Sequence, residues 1–361
     1  MSDRTLRIAV DAMGGDDAPR EPVRAAAEVS RQTDLRIALV GDPGRIQAEL
    51  ACVEHERRHI DIVPAREVVQ QDEKPRAALQ AKPDASILVA SRLLASKEAD
   101  ALVSAGSTGA LVLASAMVVP RIPGVQRAAL AAVHPTQRRA NNPDRFSLLL
   151  DVGATVRCRP TDLLFFAYMG HAYASRISKV ARPTVGLLNM GSEETKGGED
   201  LCEAHRLMKD DPLLNFVGNV EGNGIPRGAA DVIVCEGLVG NVALKLAEGV
   251  NEVFKGLGKW AFKQSLLWKA GLVLLSSGLW RLKDVTDYSE YGGAPLLGFC
   301  SPIIKAHGRS HARAIGNAIK VAAKAARDDV CGEIEAAVAA FEHRSAGSKA
   351  EGGVDDRRDG A

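Results

Sequence analysis

A run of small polar residues, SAGSTGA (residues 104–110), follows an apolar segment and precedes an apolar helical pattern. Small residues let a ligand approach the backbone, and the N-terminus of the following helix supplies unpaired N–H groups and a positive dipole end. Ser107 and Thr108 add two hydroxyl donors. The run fits an anion such as phosphate, and it also fits an ordinary N-cap, since Ser and Thr often cap helices. The spacing alone does not separate these two interpretations.

Four other apolar runs end in the same way, with a polar residue followed by glycine. In open α/β sheets, ligands bind outside the carboxyl ends of the strands. Five such turns together therefore predict a binding site along one edge of the sheet, although glycine in any single turn is explained by the turn itself. The five turns are Asp11 with Gly14, Ser104 with Gly106, Asp151 with Gly153, Asn189 with Gly191, and Glu236 with Gly237.

Other chemistry-bearing patterns are weaker. The chain contains neither GxxxxGK[ST] nor a GxGxxG after its first strand, so P-loop and dinucleotide fingerprints are missing. His307 and His311 would share a face of a helix, but no HExxH accompanies them and basic residues surround them, so we expect no metal site. Lys196 follows a strand end and precedes two glycines, which lets its cation reach an anion.

The segment 255–283 is both basic and apolar. It carries six Lys and Arg, no acidic residue, and all three tryptophans of the chain, Trp260, Trp268 and Trp280. Its longest uncharged run, 270–280, is too short to span a bilayer, which takes roughly 20 apolar residues. Trp and Lys around a short apolar patch, here with Leu274 and Leu275, favour an interfacial helix or hairpin over a core helix. An acidic protein partner would fit the same patch.

Near-continuous apolar runs alternate with amphipathic stretches, which is typical of strands buried on both faces of a parallel sheet with helices between them. We predict a doubly wound α/β fold. The predicted strands are 6–12, 35–41, 60–64, 100–106, 128–134, 147–153, 184–191 and 230–237. The predicted helices are 20–31, 43–57, 86–97, 109–119, 161–178, 198–210 and 238–283, and an Ala-rich segment over 303–341 also reads as helical. Residues 291–298 read as a Gly/Pro loop, and 344–361 as a disordered tail.

Composition limits the function classes. The chain of 361 residues has 46 Lys plus Arg against 45 Asp plus Glu, so its net charge of +1 gives no support for a general nucleic-acid binder. Six cysteines are scattered without a CxxC pair, and the first residues contain no apolar secretory core. We therefore expect a cytoplasmic protein without disulfides.

The glycine loops, taken in order, resemble the bacterial phosphate acyltransferase (acyl-ACP:phosphate acyltransferase) family, from about Leu6 to about Ala314. The pieces that carry the resemblance are VDAMGGD, SAGSTGAL, LLDVGATVRCRP, GLLNMGSEETKG, GNVEGNGIPRGAADVIVCEGLVGNVALKLAEG and YGGAPLLGFCSPIIKAHGRS. Ser107, Thr155, Glu236 and Gln80 stand where the family usually has Asn, Asn, Asp and Arg.

The resemblance implies a Rossmann-like α/β/α fold of the isopropylmalate-dehydrogenase type, with residues 1–343 as one domain and 255–283 as a protruding helical hairpin. It implies an enzyme that transfers a fatty acyl group from acyl carrier protein to inorganic phosphate, early in phospholipid synthesis. It also implies a homodimer on the inner face of the cell membrane, with no cofactor and no metal. A CoA-dependent phosphate acyltransferase of the same fold, a decarboxylating dehydrogenase, and a membrane-surface scaffold with a decayed site are the alternatives.

By the same resemblance, Lys196 and Asn241 are the expected catalytic pair, on one protomer or on two. Helix N-termini after SAGSTG and after GGAP are expected to hold the phosphate. The expected phosphate or acyl contacts are Asp11, Gly14, Gly15, Ser104, Gly106, Ser107, Thr108, Gly109, Asp151, Gly153, Asn189, Gly240, Gly292, Gly293 and His307. The expected membrane or carrier-protein contacts are Trp260, Trp268, Leu274, Leu275 and Trp280.

Overall fold

The computed structural model describes residues 5–137, 146–265 and 292–352, together with 268, 271 and 273–275. Within these residues eleven strands form one sheet, in the order β3-β2-β1-β4-β11-β10-β5-β6-β9-β7-β8. The strands are β1 (Arg7–Asp11), β2 (Arg36–Gly41), β3 (Ile60–Pro64), β4 (Ala101–Ser104), β5 (Ala129–Pro135), β6 (Phe146–Leu150), β7 (Thr184–Leu188), β8 (Asn215–Val220), β9 (Val232–Val234), β10 (Ala294–Leu297) and β11 (Ile303–Lys305).

The helices fill the connections between the strands. They are α1 (Arg20–Gln32), α2 (Pro43–Leu50), α3 (Pro75–Ala81), α4 (Ser86–Ala95), α5 (Thr108–Val118), α6 (Pro160–Arg176), α7 (Glu199–Lys209), α8 (Gly224–Arg227), α9 (Gly237–Gln264), α10 (Ala312–Arg327) and α11 (Val330–Gly352). A short 3-10 helix, Arg57–His59, precedes β3. The mostly parallel α/β architecture predicted from the apolar runs is confirmed.

Helices cover both faces of the sheet because alternate residues of each strand are apolar on both sides. Leu102 and Leu149 belong to one core cluster, which also takes side chains of α4 and α5 and the partly buried Ala243 and Leu244 of α9. On the opposite face α1 and α10 pack over β1, β2, β4 and β11, whereas α6, α7 and α11 pack over the other half of the sheet. We call the side that carries α4, α5 and α9 the α9 face.

Strand direction differs from the sequence-based expectation. The antiparallel pairs β11–β10, β10–β5 and β5–β6 leave β6, β9, β7 and β8 running opposite to β1–β4 and β11. The prediction that all five polar turns lie at one edge is therefore wrong. The turns after β1 and β4 lie at one edge, and those after β6, β7 and β9 at the other.

Sheet twist reduces the separation of these two edges. Adjacent strands rotate by about 20–25°, so the four steps from β11 to β9 accumulate roughly 80–100°. A rotation of this size brings opposite edges of a sheet closer together on one of its faces. Asp11, Ser104 and Lys305 alternate along their strands with residues packed under α1 and α10, which places these polar side chains on the α9 face.

The segment predicted as an interfacial hairpin is described only in part. Helix α9 ends at Gln264, where Ser265 takes extended φ and ψ of −152° and 158° and its hydroxyl accepts a hydrogen bond from the Trp268 amide at 3.1 Å. The Trp260 and Trp268 rings then meet edge to face at 6.1 Å between centroids. Eight residues of unbroken helix would separate them by about 12 Å, so the chain bends at Ser265. Trp280 and the rest of the predicted second arm lie outside the described residues.

Two boundaries are corrected near the C-terminus. The segment 303–341 is not one helix, since β11, a loop and α10 precede α11. Disorder does not begin at residue 344, because α11 continues to Gly352. Arg344 there donates to the buried carboxylate of Asp211, which also accepts the Tyr168 hydroxyl at 2.5 Å. None of the helices in the described ranges has the length and hydropathy of a bilayer-spanning segment.

Candidate functional site

The loop after β4 leads directly into the N-terminus of α5. Ser107 occupies the N-cap position, and its carbonyl accepts the Leu111 amide at 2.9 Å, but its side chain makes no capping hydrogen bond. A side-chain cap, one of the two interpretations of SAGSTGA, is therefore not formed. Thr108 and Gly109 open the helix, and their backbone amides belong to its first, unpaired turn.

Two glycine turns meet in front of this helix. A Cβ on Gly14 would lie 2.6 Å from the Asp11 Oδ2 atom and 2.6 Å from the Gly106 amide nitrogen, so the two turns touch only because Gly14 has no side chain. Gly15 has a φ of 111°, which glycine adopts without strain. Asp11, Gly14 and Gly106, predicted separately from sequence, are thus one structural unit.

Asp11, Ser104 and Lys305 occupy paired positions on the adjacent parallel strands β1, β4 and β11. All three are buried. The Asp11 carboxylate accepts the hydroxyls of Ser104 and of Ser86, which is the first residue of α4, both at 2.7 Å. The Ser104 oxygen in turn accepts the Gly106 amide at 3.0 Å. Sequence reasoning named neither Ser86 nor Lys305 as a site residue.

The pKa values of this group reflect burial. Burial raises the pKa of Asp11, against the lowering effect of its hydroxyl partners. Burial also lowers the pKa of Lys305 to about 8, although the nearby Asp11 and Asp16 carboxylates oppose that shift. His307 in the adjoining loop has a lowered pKa, first through burial and then through the charge of Lys305.

A second group surrounds the turn after β6. Asp151 is fully buried, and its carboxylate accepts the amides of Leu130, Gly153, Ala154 and Thr155 and the Thr155 hydroxyl, all between 2.8 and 3.0 Å. With five donors from its own chain, this carboxylate holds the turn together. Its predicted contact with phosphate or acyl group has no support from this geometry.

The same turn supports the N-terminus of α9. The Thr155 hydroxyl accepts the Gly237 amide at 3.1 Å, and the Glu236 carboxylate accepts the Cys158 amide at 2.9 Å. Gly240 packs on the Asp151 backbone, and Asn241 beside it is exposed. Thr155 and Glu236, two positions that depart from the family pattern, therefore act on the placement of this helix.

The third group is the loop after β7. Asn189 is buried, and its side-chain amide donates to the Lys196 carbonyl oxygen at 3.0 Å, which fixes the loop that carries Lys196. The Lys196 side chain is exposed and has no ion-pair partner among the described residues. Glu194 pairs with Lys209 at 2.6 Å instead. This arrangement leaves the Lys196 ammonium available to an anion.

Helix α9 relates the groups to one another. It begins next to Asp151, and β9, which precedes it, pairs with both β6 and β7. One and two turns beyond Asn241, Lys245 and Glu248 lie close enough to His307 to shift its pKa. Because His307 lies in the loop after β11, the first turns of α9 face the group around Lys305 across the α9 face.

Two further predictions near β10 and β11 are corrected. No helix follows GGAP, because Ala294–Leu297 is strand β10. Gly292 and Gly293 have φ of 78° and 91°, and added Cβ atoms would meet the Asn317 and Lys305 carbonyl oxygens at 2.8 and 2.6 Å, so both glycines permit close packing. His307 lies in a loop and His311 is the N-cap of α10, so they do not share a helix face.

Burial also limits nucleophile chemistry at the described cysteines near Asp151. Burial raises the pKa of Cys158 to about 11 and raises that of Cys235 as well. Both thiols therefore stay protonated at neutral pH and are poor nucleophiles. In the parts of the chain that the structure describes, no group of three or more His, Cys, Asp or Glu side chains is arranged to hold a metal ion.

The arrangement as a whole is that of an α/β protein with glycine-containing turns at both edges of its central sheet. Solved structures share this fold. A phosphotransacetylase from Streptococcus pyogenes superposes with a TM-score of 0.62 at 17% identity, covering 90% of this chain and 94% of that chain. The EutD phosphotransacetylase from Staphylococcus aureus gives 0.58 at 16% identity, covering 90% and 95%. At such low identity these likenesses establish the fold.

Sequence relatives establish the family. The model of the family described as "Fatty acid synthesis protein" matches residues 6–333. Proteins named "Phosphate acyltransferase" are 45% identical over 331 residues in Heliobacterium modesticaldum and 47% identical over 331 residues in Desulfitobacterium hafniense strain DSM 10664 / DCB-2; each alignment covers 91% of this chain and 97% of the relative. The chain belongs to this phosphate acyltransferase family, as its glycine loops predicted.

Proposed function

We propose that the protein is an acyltransferase that moves a fatty acyl group from the thioester of acyl carrier protein to inorganic phosphate. The names of its relatives support acyl transfer to phosphate. The observation that carries the proposal is the N-terminus of α5, which has no side-chain cap and has the hydroxyls of Ser107 and Thr108 beside it. It lies on the α9 face of the sheet, the face that is also covered by the helix that carries Asn241.

The chemistry requires no covalent intermediate on the protein. A phosphate oxygen attacks the thioester carbon, a C–O bond forms, the C–S bond breaks, and the thiolate leaves with the electron pair and takes a proton. Phosphate is itself the nucleophile, so the protein has to hold it near the thioester and stabilise the oxyanion that develops. We assign the oxyanion donor to the Asn241 amide, which does not titrate. We assign to Lys196 the neutralisation of phosphate or the protonation of the departing thiolate.

The remaining expected contacts divide by their surroundings. Ser104, Gly106, Ser107, Thr108 and Gly109 form the proposed phosphate loop. Asp11, Gly14 and Gly15 hold that loop from below, and His307 borders it. We assign to Gly153, Asn189 and Gly240 the positioning of Asn241 and Lys196.

Helix α9 offers the surfaces for the proposed partners. Large exposed apolar side chains repeat along it at intervals of three and four residues, as in a helix that packs against another helix. They are Val239, Val242, Leu246, Val250, Val253 and Leu257. We assign this stripe to a second copy of the chain, so that the active form is a homodimer. Sedimentation of the wild-type protein tests this assignment: a dimer supports it, and a monomer at micromolar concentration contradicts it.

The end of this region suits a membrane surface and an acidic carrier protein. Leu274 and Leu275 are 83% and 63% exposed, and the Trp260 and Trp268 rings, which contact each other, are also more than half exposed. Exposed apolar side chains beside Trp are typical of interfacial binding, and the basic residues of 255–283 add attraction to anionic lipid. We therefore propose a cytoplasmic protein attached peripherally to the inner face of the membrane, active in phospholipid synthesis.

A donor comparison tests the reaction. The purified protein is incubated with phosphate and either long-chain acyl carrier protein or acetyl-CoA, and hydroxylamine traps any acyl phosphate as a hydroxamate. We expect hydroxamate from the acyl carrier protein and little from acetyl-CoA. Preference for acetyl-CoA would assign the protein to CoA-dependent phosphate acyl transfer. Vesicle binding without product from either donor would support a scaffold with a decayed site. Reduction of a nicotinamide cofactor in a parallel incubation would indicate a dehydrogenase.

A further inference from the structure

The row of Asp11, Ser104 and Lys305 has one member whose charge has no direct partner. Lys305 is only 8% exposed, yet no carboxylate lies within ion-pair distance of its ammonium in the described part of the chain. Its Nζ atom donates to the Ala306 carbonyl oxygen. A lysine ammonium has three N–H donors, so this contact leaves donor capacity unused. A buried cation with spare donors is costly unless an anion joins it.

Asp11 does not supply that anion by direct contact. Its Oδ1 accepts from Ser86 and from the Met13 amide, and its Oδ2 accepts from Ser104. These donors come from the turn after β1, the start of α4 and the end of β4, and they hold the carboxylate in place. The effect of Asp11 on Lys305 is therefore long-range, whereas its effect on Ser104 and on the Gly106 amide behind it is direct.

The position of Lys305 points to the ligand that is missing. Lys305 pairs with Ser104 in the sheet, and two residues after Ser104 the chain makes the turn that opens α5. The loop that follows Lys305 contacts the glycine turn after β1, where the Gly308 carbonyl accepts the Asp16 amide at 2.9 Å. Lys305 thus lies behind the junction of the two glycine turns, at the same sheet edge as the first turn of α5.

We propose that Lys305 is the buried cation of the phosphate-binding loop, donating a charge-assisted hydrogen bond to the phosphate nucleophile, while Asp11 holds Ser104 and Gly106 in place for it. This inference rests on the proposed function for the identity of the anion. Lys305 acts on phosphate alone, from behind the loop, whereas Asn241 acts at the thioester and Lys196 acts on the phosphate or on the departing thiolate. Loss of the Lys305 charge should therefore weaken phosphate binding more than donor binding.

The experiment replaces Lys305 with Met, which keeps the length of the side chain and removes its charge. Binding of inorganic phosphate to the protein without acyl donor is measured by calorimetry at pH 7, and the KM values for phosphate and for donor are measured separately. We expect Lys305→Met to weaken phosphate binding by about 10- to 150-fold, the range for loss of a hydrogen bond to a charged group. The KM for donor stays within about twofold.

Lys320→Met is the matched control, since that exposed ammonium bonds to the Gln32 side chain on the opposite face of the sheet. It should leave both KM values unchanged. A pH series adds a readout that a purely structural role would not move. The pKa of Lys305 is about 8 in the free protein, so the difference in phosphate affinity between wild type and Lys305→Met should narrow as pH rises through that value.

The outcomes separate this inference from the proposed function. A folded Lys305→Met protein that binds phosphate like the wild type overturns the role of Lys305, whether or not acyl phosphate forms. If the wild-type protein binds phosphate but transfers no acyl group, the proposed function is overturned. The ratio of phosphate affinities between wild type and Lys305→Met then still tests the role of Lys305. If Lys305→Met does not fold, Lys305→Gln is measured in the same way, and unchanged phosphate binding in that variant overturns the inference.

Discussion

Replacing Gly240 with Ala tests whether the start of α9 positions Asn241 for turnover. It lies in the first turn of α9, one residue before Asn241, and a Cβ placed on it would be 1.9 Å from the Asp151 carbonyl oxygen. Real Cβ contacts do not fall below 3.0 Å, so the Gly240→Ala variant has to open this gap by about 1.1 Å. The Asp151 side cannot yield easily, because its carboxylate holds four amides and one hydroxyl. The start of α9 must therefore move.

The expected cost has two parts. Overpacking at a buried position typically destabilises a protein by about 1–3 kcal/mol. A displacement of about 1 Å at a reacting group lowers the rate by about 10²-fold. We therefore expect Gly240→Ala to remain folded, to lose about 1–3 kcal/mol in the free energy of unfolding, and to lose about two orders of magnitude in turnover.

Gly249 provides the matched control in the same helix. A Cβ there meets nothing within 4 Å, so Gly249→Ala should gain up to about 1 kcal/mol from helix propensity and keep its turnover. Urea unfolding gives the free energies, and hydroxamate formation gives the rates. Gly240→Ala with wild-type turnover and a free energy of unfolding within about 0.5 kcal/mol of wild type would refute the argument that this contact positions Asn241.

Three further predictions address the other groups. Asn241→Ala and Lys196→Ala should each lower turnover by about 10²–10³-fold, the range for one oxyanion donor, with folding intact by circular dichroism. Asp151→Asn should lower the free energy of unfolding, measured in urea, by about 2–4 kcal/mol. The NH2 group of the new Asn would face buried N–H groups that donate to the carboxylate in the wild type. Leu274→Glu combined with Leu275→Glu should release the protein from anionic vesicles in a sedimentation assay.

Each of these has a result that contradicts it. Near-native rates in both Asn241→Ala and Lys196→Ala would remove the catalytic assignment. An Asp151→Asn protein as stable as the wild type would show that the turn after β6 does not depend on this carboxylate. The vesicle prediction uses Val217→Glu as its control, since Val217 is 47% exposed and belongs to β8, outside the segment 255–283. Equal vesicle binding by the double variant and this control would refute the membrane role.

Much of the fold was readable from local patterns. Buried parallel strands leave nearly continuous apolar runs, and for that reason β1, β2, β3 and β7 begin within a residue of their predicted starts. Strand β8 was missed because NFVGNV mixes polar residues and a glycine at positive φ into the run. Strands β10 and β11 were missed because they are three or four residues long and lie among Gly, Pro and Ala-rich sequence.

Strand direction and register could not be read in the same way. The strands β5 and β6 are consecutive and pair antiparallel with each other, but the place of this pair in the sheet depends on β10, which comes more than 140 residues later in the chain. The alignment of Asp11, Ser104 and Lys305 likewise joins three distant segments. In sequence, Lys305 looks like one more cation of a basic segment; only the sheet register shows that it is buried beside Ser104.

For the C-terminal segment from Arg344, the sequence predicts less order than the structure shows. Its charged, Gly-containing composition predicts disorder from Arg344, since such segments bury little apolar surface. Arg344 is instead part of α11 and bonds to Asp211, which lies just after α7. Arg344 also donates to the Tyr168 hydroxyl at 3.5 Å, and composition carries no information about such distant partners.

The most direct measurement of the proposed reaction detects acyl phosphate by ³¹P NMR. Purified protein, long-chain acyl carrier protein and inorganic phosphate are combined in a ³¹P NMR tube while released thiol is measured in parallel. An acyl phosphate resonance should grow only when all three are present, with one thiol released for each acyl phosphate formed. Thiol release without that resonance, or no consumption of the thioester, would contradict the transfer of an acyl group to phosphate.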